Sequence, residues 1–211
     1  MLIKTDMRDV IFIHGWGFDG SVWEKLIPLL PGIRPHYIEL GFADAERAVT
    51  TIRQDHAIVI GHSLGVLWYL KNHPSSAKAL ISIAGFDCFT TVVGNRVLRA
   101  MKAKLGKCAE DLLQDFWAQC GVNEPGLKQF DVQRLDDGLG WLQKWNCEPE
   151  LQNLNCPKLA LAAQDDQIVA IEKSRAIWGG DLCETETGGH VLPLTKPEWC
   201  AEKIQEFFDH V

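Results

Sequence analysis

The stretch His56-Ala57-Ile58-Val59-Ile60-Gly61-His62-Ser63-Leu64-Gly65-Val66-Leu67-Trp68-Tyr69-Leu70 constrains this chain more than any other. Residues 57–60 have the unbroken apolar character of a strand buried on both faces. They run without a linker into Gly61-His62-Ser63-Leu64-Gly65 and then into apolar residues at helical spacing. A strand that reverses into a helix so abruptly needs a tight, strained turn. Gly61 and Gly65 lack Cβ atoms, so strand and helix can approach closely, and Ser63 stands at the apex of the elbow. His62 is the free position of the pattern.

The rest of the chain repeats the strand–helix alternation. Residues 9–14 form a short apolar strand followed by the loop His14-Gly15-Trp16-Gly17, and 21–30 read as an amphipathic helix stopped by Pro31-Gly32. Residues 33–40 form a strand that Pro35 consigns to a sheet edge, and 44–52 read as a helix. Further strands are expected at 79–84, 158–163 and 181–187, with a helix ending near Trp178 and a last helix over 197–210. The expected fold class is α/β: a mostly parallel sheet of about six strands with helices on both faces.

Between residues 86 and 155 the alternation stops and helical patterns follow one another. Asn95 can cap a first helix in which Val97, Leu98, Met101 and Leu105 share a face. Ala109, Leu112, Leu113, Phe116, Trp117 and Cys120 mark a second, and Val132, Leu135, Leu139, Leu142 and Trp145 a third. The expected organisation is a core of residues 1–85 and 156–211, with 86–155 inserted as a helical cap or lid. Phe86, Phe89, Phe116, Trp117, Trp141 and Trp145 are candidates to line a channel beneath it, or to pack cap on core.

A serine is a weak nucleophile until a base takes its proton, and the base needs an acid to orient it. On an elbow-type sheet these partners follow in the order Ser, Asp/Glu, His from loops after later strands. His190 lies in such a loop, Gly188-Gly189-His190, after the last strand. Gln164-Asp165-Asp166 follows the preceding strand; Asp166 is the favoured acid and Asp165 the alternative or a helix cap. An oxyanion needs two fixed N–H donors. The backbone amides of Leu64, next after Ser63, and of Trp16, in the loop after the first strand, are the candidates.

Other classes are disfavoured. A net charge of −7 argues against a nucleic-acid partner, and no apolar run is long enough to span a membrane. Residues 1–6 lack a signal-peptide layout, and the seven cysteines show no Cys-x-x-Cys pairing. Reduced thiols in a cytoplasmic protein account for them best. No His/Cys/Asp grouping has metal-ligand spacing, so neither a metal nor another cofactor is expected. Between Cys88 and Ala109 the only charges are Arg96, Arg99, Lys102, Lys104 and Lys107 and the acid Asp87 lies just outside. Arg96, Arg99 and Lys102 form a candidate ridge for an acidic carrier protein, or simply a solvated helix face.

With Gly61-His62-Ser63-Leu64-Gly65, Asp166 and Gly188-Gly189-His190 in this order, the chain resembles the α/β-hydrolase family over essentially its whole length, lacking the family's usual N-terminal strand pair. The loop His14-Gly15-Trp16-Gly17 followed by Trp23, and a cap ending in Leu154-Asn155-Cys156-Pro157, are similar to those of pimeloyl-[acyl-carrier protein] methyl ester esterases of biotin synthesis. The resemblance implies Ser63 as nucleophile, His190 as base and Asp166 as acid, with the Trp16 and Leu64 amides holding the oxyanion. It implies a cofactor-independent serine carboxylesterase, a monomer acting on a small acyl ester carried on acyl-carrier protein. The chain departs from the pattern at Ala170, where Asp-x-Leu/Ile-Val-Pro has proline, and at His62, where those esterases often carry tryptophan. A generic short-chain carboxylesterase or thioesterase is the alternative within the class. A lyase that uses the same triad to eliminate pyruvate, as in a menaquinone-pathway relative, and a non-catalytic binding protein are alternatives outside it.

Overall fold

Three consecutive strands are buried almost end to end: β3 (Ile58–His62), β4 (Ala79–Ile83) and β5 (Lys158–Ala163). Successive residues of a strand point to opposite faces, so unbroken burial requires that both faces of the sheet be covered. The computed structural model describes residues 7–43, 57–73, 77–123 and 129–211, and the expected helix at 44–52 lies outside them. Three further strands, β1 (Arg8–Ile13), β2 (Ile33–Ile38) and β6 (Leu182–Thr185), complete a six-stranded sheet in the order β2-β1-β3-β4-β5-β6. Every pairing is parallel, with Val10 opposite Ile58 and Ile60 opposite Ile81 in register. Pro35 lies in β2 at the sheet edge, as a residue without a donor should.

Helix α1 (Leu64–Asn72) follows β3 directly and buries Leu64, Val66, Leu67, Tyr69 and Leu70. A Cβ on Gly65 would lie 2.2 Å from the carbonyl oxygen of Ile13, so only glycine lets the helix start this close to the end of β1. Between β4 and β5 come α2 (Phe89–Val92), α3 (Asn95–Leu105), α4 (Ala109–Gln119), α5 (Val132–Lys144) and α6 (Glu148–Gln152). The chain ends with α7 (Ile171–Trp178) after β5, then α8 (Leu192–Thr195) and α9 (Pro197–Phe208) after β6.

Helices α4 and α5 are tied to loops at the C-terminal ends of the strands. Asp131, which caps α5, donates its N–H to Phe42 O at 2.9 Å beyond β2. Trp16, beyond β1, donates its indole N–H to Leu135 O of α5 at 2.9 Å, and Trp117 of α4 donates its own to Gly17 O at 2.9 Å. These bonds seat α4 and α5 over the end of the sheet where Ser63 emerges.

The structure differs from the local expectations in four places. Residues 21–30 do not form one helix but two short 3₁₀ turns, Gly20–Trp23 and Ile27–Leu29. Pro28 has no N–H for a helical bond to the preceding turn, and the Asp19 carboxylate accepts from Ser21 N–H at 2.8 Å to start the first turn alone. Asn95 is the first residue of α3 rather than its cap; Gly94, with φ of +78°, holds the cap position. Val97 does not share the burial of Leu98 and Leu105, nor Val132 that of Leu135, Leu139 and Leu142; each stands 45% exposed. All seven cysteines are free.

Candidate active site

Ser63 is the N-cap of α1 and one of two described non-glycine residues with positive φ, at 52°. Such a conformation costs about 1–3 kcal/mol and persists only where the surroundings enforce it. Here Ser63 N–H donates to Ile83 O of β4 at 3.0 Å, pinning the turn to the neighbouring strand. The result is a serine only 7% exposed, its hydroxyl turned into the fold.

His190, Asp166 and Ser63 meet in one line. His190 Nε2 is 2.9 Å from Ser63 Oγ, and its Nδ1 is 2.8 Å from Asp166 Oδ2. With the carboxylate ionised, Nδ1 carries the proton and donates, which leaves Nε2 as the acceptor for the Ser63 hydroxyl. The second Asp166 oxygen accepts the N–H groups of Ile168 at 2.7 Å and Val169 at 3.0 Å. Burial alone would push the Asp166 carboxyl up; the facing His190 and these donors outweigh it and hold it below its ordinary value. Asp165 points elsewhere. Its two oxygens accept from Gly189 N–H at 2.8 Å and Gly188 N–H at 3.2 Å, bracing the loop that carries His190.

That loop is also held from the end of α4. His190 N–H donates to Cys120 O at the end of α4 at 3.2 Å. Gly189 has φ of +64°, and a Cβ there would lie 2.9 Å from the same carbonyl, so the approach needs glycine. Cys120 is itself buried, and burial together with Asp166 pushes its thiol well above the usual range.

Trp16 and Leu64 flank the serine. The Trp16 loop passes so near that a Cβ on Gly15 would come within 3.1 Å of Ser63 Cβ. Among the described residues neither the Trp16 nor the Leu64 amide donates to a backbone carbonyl outside the regular elements. His14 serves this loop as a brace: its Nδ1 bonds Gly15 O at 3.0 Å, and its Nε2 accepts Leu40 N–H at 2.9 Å.

Above Ser63 opens a slot of about 400 Å³ between α3 and α4, within the size range of small-ligand sites. Trp16, Phe86, Phe89 and Phe116 line it, with aliphatic walls from Met101, Leu112 and Leu142. The other candidate aromatics pack instead. Trp117 is spent on Gly17, and Trp141 stacks on Trp145 with ring centroids 5.2 Å apart. Of the basic residues, Arg96 and Arg99 are exposed on α3, while Lys102 is tied to the Asp136 carboxylate of α5 at 3.0 Å. Among the described residues no His, Cys, Asp or Glu cluster could hold a metal, and no helix is long and apolar enough to cross a membrane.

One residue had no role in the sequence pattern. His62, the free position of the elbow, is fully buried, and its Nε2–H donates to His190 O at 3.1 Å. Burial, then the neighbouring His190, pushes its pKa down to about 3, so it is neutral. Its position on a strand buried on both faces was the available signal, because the last residue of such a strand must point inward.

The family model for the alpha/beta hydrolase family matches residues 10–203. Similar proteins include pimeloyl-[acyl-carrier protein] methyl ester esterases of three bacteria. That of Photobacterium profundum is 48% identical over 173 residues, covering 72% of this chain and 67% of its own. That of Yersinia enterocolitica is 30% identical over 239 residues, covering 94% and 92%, and that of Aeromonas hydrophila 26% over 198 residues, covering 76% and 78%. Among solved structures, an esterase from Exiguobacterium antarcticum superposes with a TM-score of 0.77 at 16% identity, covering 95% of this chain and 91% of that one. MenH from S. aureus does so at 0.75 and 16%, covering 99% and 95%. Likenesses this distant in sequence speak for the fold, and the family match together with the relatives speaks for descent. The chain belongs to the alpha/beta hydrolase family.

Proposed function

We propose that this protein is a serine carboxylesterase in which Ser63 is the nucleophile, His190 the general base and acid, and Asp166 the orienting carboxylate. The observation that carries the reading is the unbroken run of hydrogen bonds from Asp166 Oδ2 through both His190 nitrogens to Ser63 Oγ. Ser63 Oγ attacks the ester carbonyl carbon while its proton passes to His190 Nε2. The Trp16 and Leu64 N–H groups hold the oxyanion of the tetrahedral intermediate. On collapse the ester C–O bond breaks and His190 returns the proton to the leaving alkoxide, releasing an alcohol. Water then attacks the acyl-enzyme, with His190 again taking the proton, and the acid leaves from a regenerated serine. None of these steps calls on a cofactor.

The proposed substrate is the methyl ester of a pimeloyl chain carried on acyl-carrier protein, the substrate in the names of the relatives. An apolar slot ending at Ser63 suits a methylene chain. Residues 86–155 act as its lid, and Arg96 and Arg99 offer a basic face to an acidic carrier on an otherwise acidic protein; Lys102, paired with Asp136, adds less. The protein works as a monomer in the cytoplasm. Release of methanol from carrier-bound pimeloyl methyl ester, abolished by Ser63→Ala, is the expected result. Hydrolysis of short p-nitrophenyl esters without activity on the carrier-bound ester would leave a generic carboxylesterase, and activity on both kinds of ester retained by Ser63→Ala would contradict the mechanism.

A further inference from the structure

Most of the slot's lining is apolar. Ser63 lies at its floor and Lys104 of α3 and Asp115 of α4 at an outer, exposed side. Two exposed glutamines, Gln119 next to Cys120 and Gln167 next to Asp166, also line it, but among its lining residues Lys104 alone is a cation. Lys104 is also unlike the other cations of α3. Neither Arg96, Arg99 nor Lys102 lines the slot, whereas Lys104 does, and its ammonium is bonded to the Asp115 carboxylate across the gap between the two helices.

We infer that Lys104 is a specificity-determining residue, selecting acyl chains whose far end carries an oxygen acceptor, a carboxylate or a carbonyl. The inference rests on the esterase reading, because it takes Ser63 as the end of the slot where the scissile ester is held. A saturated chain gives the apolar walls no means of telling one end group from another. The discrimination must come from a polar group at the rim, where an end-group oxygen that gives up water is better served when a charged donor meets it. An ammonium offers three donors and Asp115 engages one. The Lys104 and Asp115 side chains are 38% and 65% exposed, and ion pairs of that kind are worth about 0–1 kcal/mol. A substrate oxygen can therefore share the ammonium with Asp115 or displace it at little cost. Asp115 keeps the cation positioned over the slot while it is empty.

Three methyl esters of the same acyl length separate the possibilities: methyl heptanoate with a bare methyl end, dimethyl pimelate with a neutral carbonyl end, and monomethyl pimelate with a carboxylate end. Wild type is expected to prefer one or both pimelates over methyl heptanoate in kcat/KM, through KM. Lys104→Met is expected to shrink that preference by up to about fivefold, the upper end for a charge pair at this exposure, and Lys104→Arg to restore most of it. A preference held only for monomethyl pimelate identifies a carboxylate as the acceptor, and one shared by dimethyl pimelate identifies a carbonyl. Equal wild-type kcat/KM for all three esters, or a preference that survives Lys104→Met, overturns the inference and leaves the esterase reading standing. Failure of the wild type to hydrolyse any of them overturns the esterase reading and the inference with it.

Discussion

His62 donates its Nε2–H to the main-chain carbonyl of His190 across 3.1 Å, so the residue just before Ser63 holds the backbone of His190. The two rings lie 5.1 Å apart between centroids, and Phe18 and Trp23 close in the His62 ring from other sides. Serine and histidine thus come from sequence positions far apart, yet the residue beside the serine fixes the main chain of the histidine.

Replacing His62 by Phe should leave the His190 carbonyl without its donor, destabilise the fold by about 1–3 kcal/mol and lower kcat more than it raises KM. His62→Gln, which keeps an N–H at a similar reach, should recover part of both. Chemical denaturation at several pH values adds a second check. The folded-state pKa of His62 is lowered from 6.5 to about 3, so the unfolded chain takes up a proton first as pH falls. Stability is therefore lost between those two values, by up to about 1.4 kcal/mol per pH unit from this group. The slope should be shallower in His62→Phe.

The two adjacent aspartates should separate cleanly. Asp166→Asn keeps the shape but cannot hold His190 in the needed tautomer, and kcat should fall by about 10³–10⁴-fold. Asp165→Asn still accepts one of the two glycine N–H groups, and the loss should stay within about tenfold. Steady-state kinetics on a p-nitrophenyl ester decides it.

Gly65→Ala places a methyl group 2.2 Å from Ile13 O in the middle of the core, whereas Gly180→Ala meets nothing within 4 Å. The first should cost at least about 2 kcal/mol or prevent folding, and the second should leave the melting temperature nearly unchanged.

If Arg96 and Arg99 receive a carrier, Arg96→Glu/Arg99→Glu should reduce the ratio of kcat/KM for the carrier-bound ester to that for a free methyl ester. The reduction should itself weaken as salt is raised, because steering between exposed charges is screened. A ratio unaffected by the double substitution would remove these residues from docking.

Much of this was legible in the sequence, for identifiable reasons. The strands announced themselves because both sheet faces are covered, which writes β3, β4 and β5 as nearly continuous apolar runs. Pro35 gave away the edge. The elbow and the Gly188-Gly189-His190 loop are local patterns, so Ser63 and His190 stand out, and the structure bonds His190 to Ser63 on one side and to Asp166 on the other. What stayed hidden depends on contacts between distant segments. The choice between Asp165 and Asp166 turns on how the chain bends after β5, with both side chains finding loop amides. His62 is an ordinary residue in the motif and gains its role only when His190 O arrives beside it. Trp117 reads as core on its helix, yet its indole N–H is what ties α4 to the Trp16 loop. The amphipathic pattern over 21–30 runs through Pro28, and the backbone follows the proline, which has no N–H for a continuous helix, rather than the pattern.

The central claim is that Ser63, activated by His190, forms a covalent acyl-enzyme. It is tested most directly by intact-mass measurement after brief exposure to a fluorophosphonate, run on wild type, Ser63→Ala and His190→Ala. A single adduct on wild type that maps to Ser63, is absent from Ser63→Ala and forms far more slowly in His190→Ala is the predicted result. Ester hydrolysis by a wild-type protein that takes up no label, or a label of the same extent on Ser63→Ala, would contradict it.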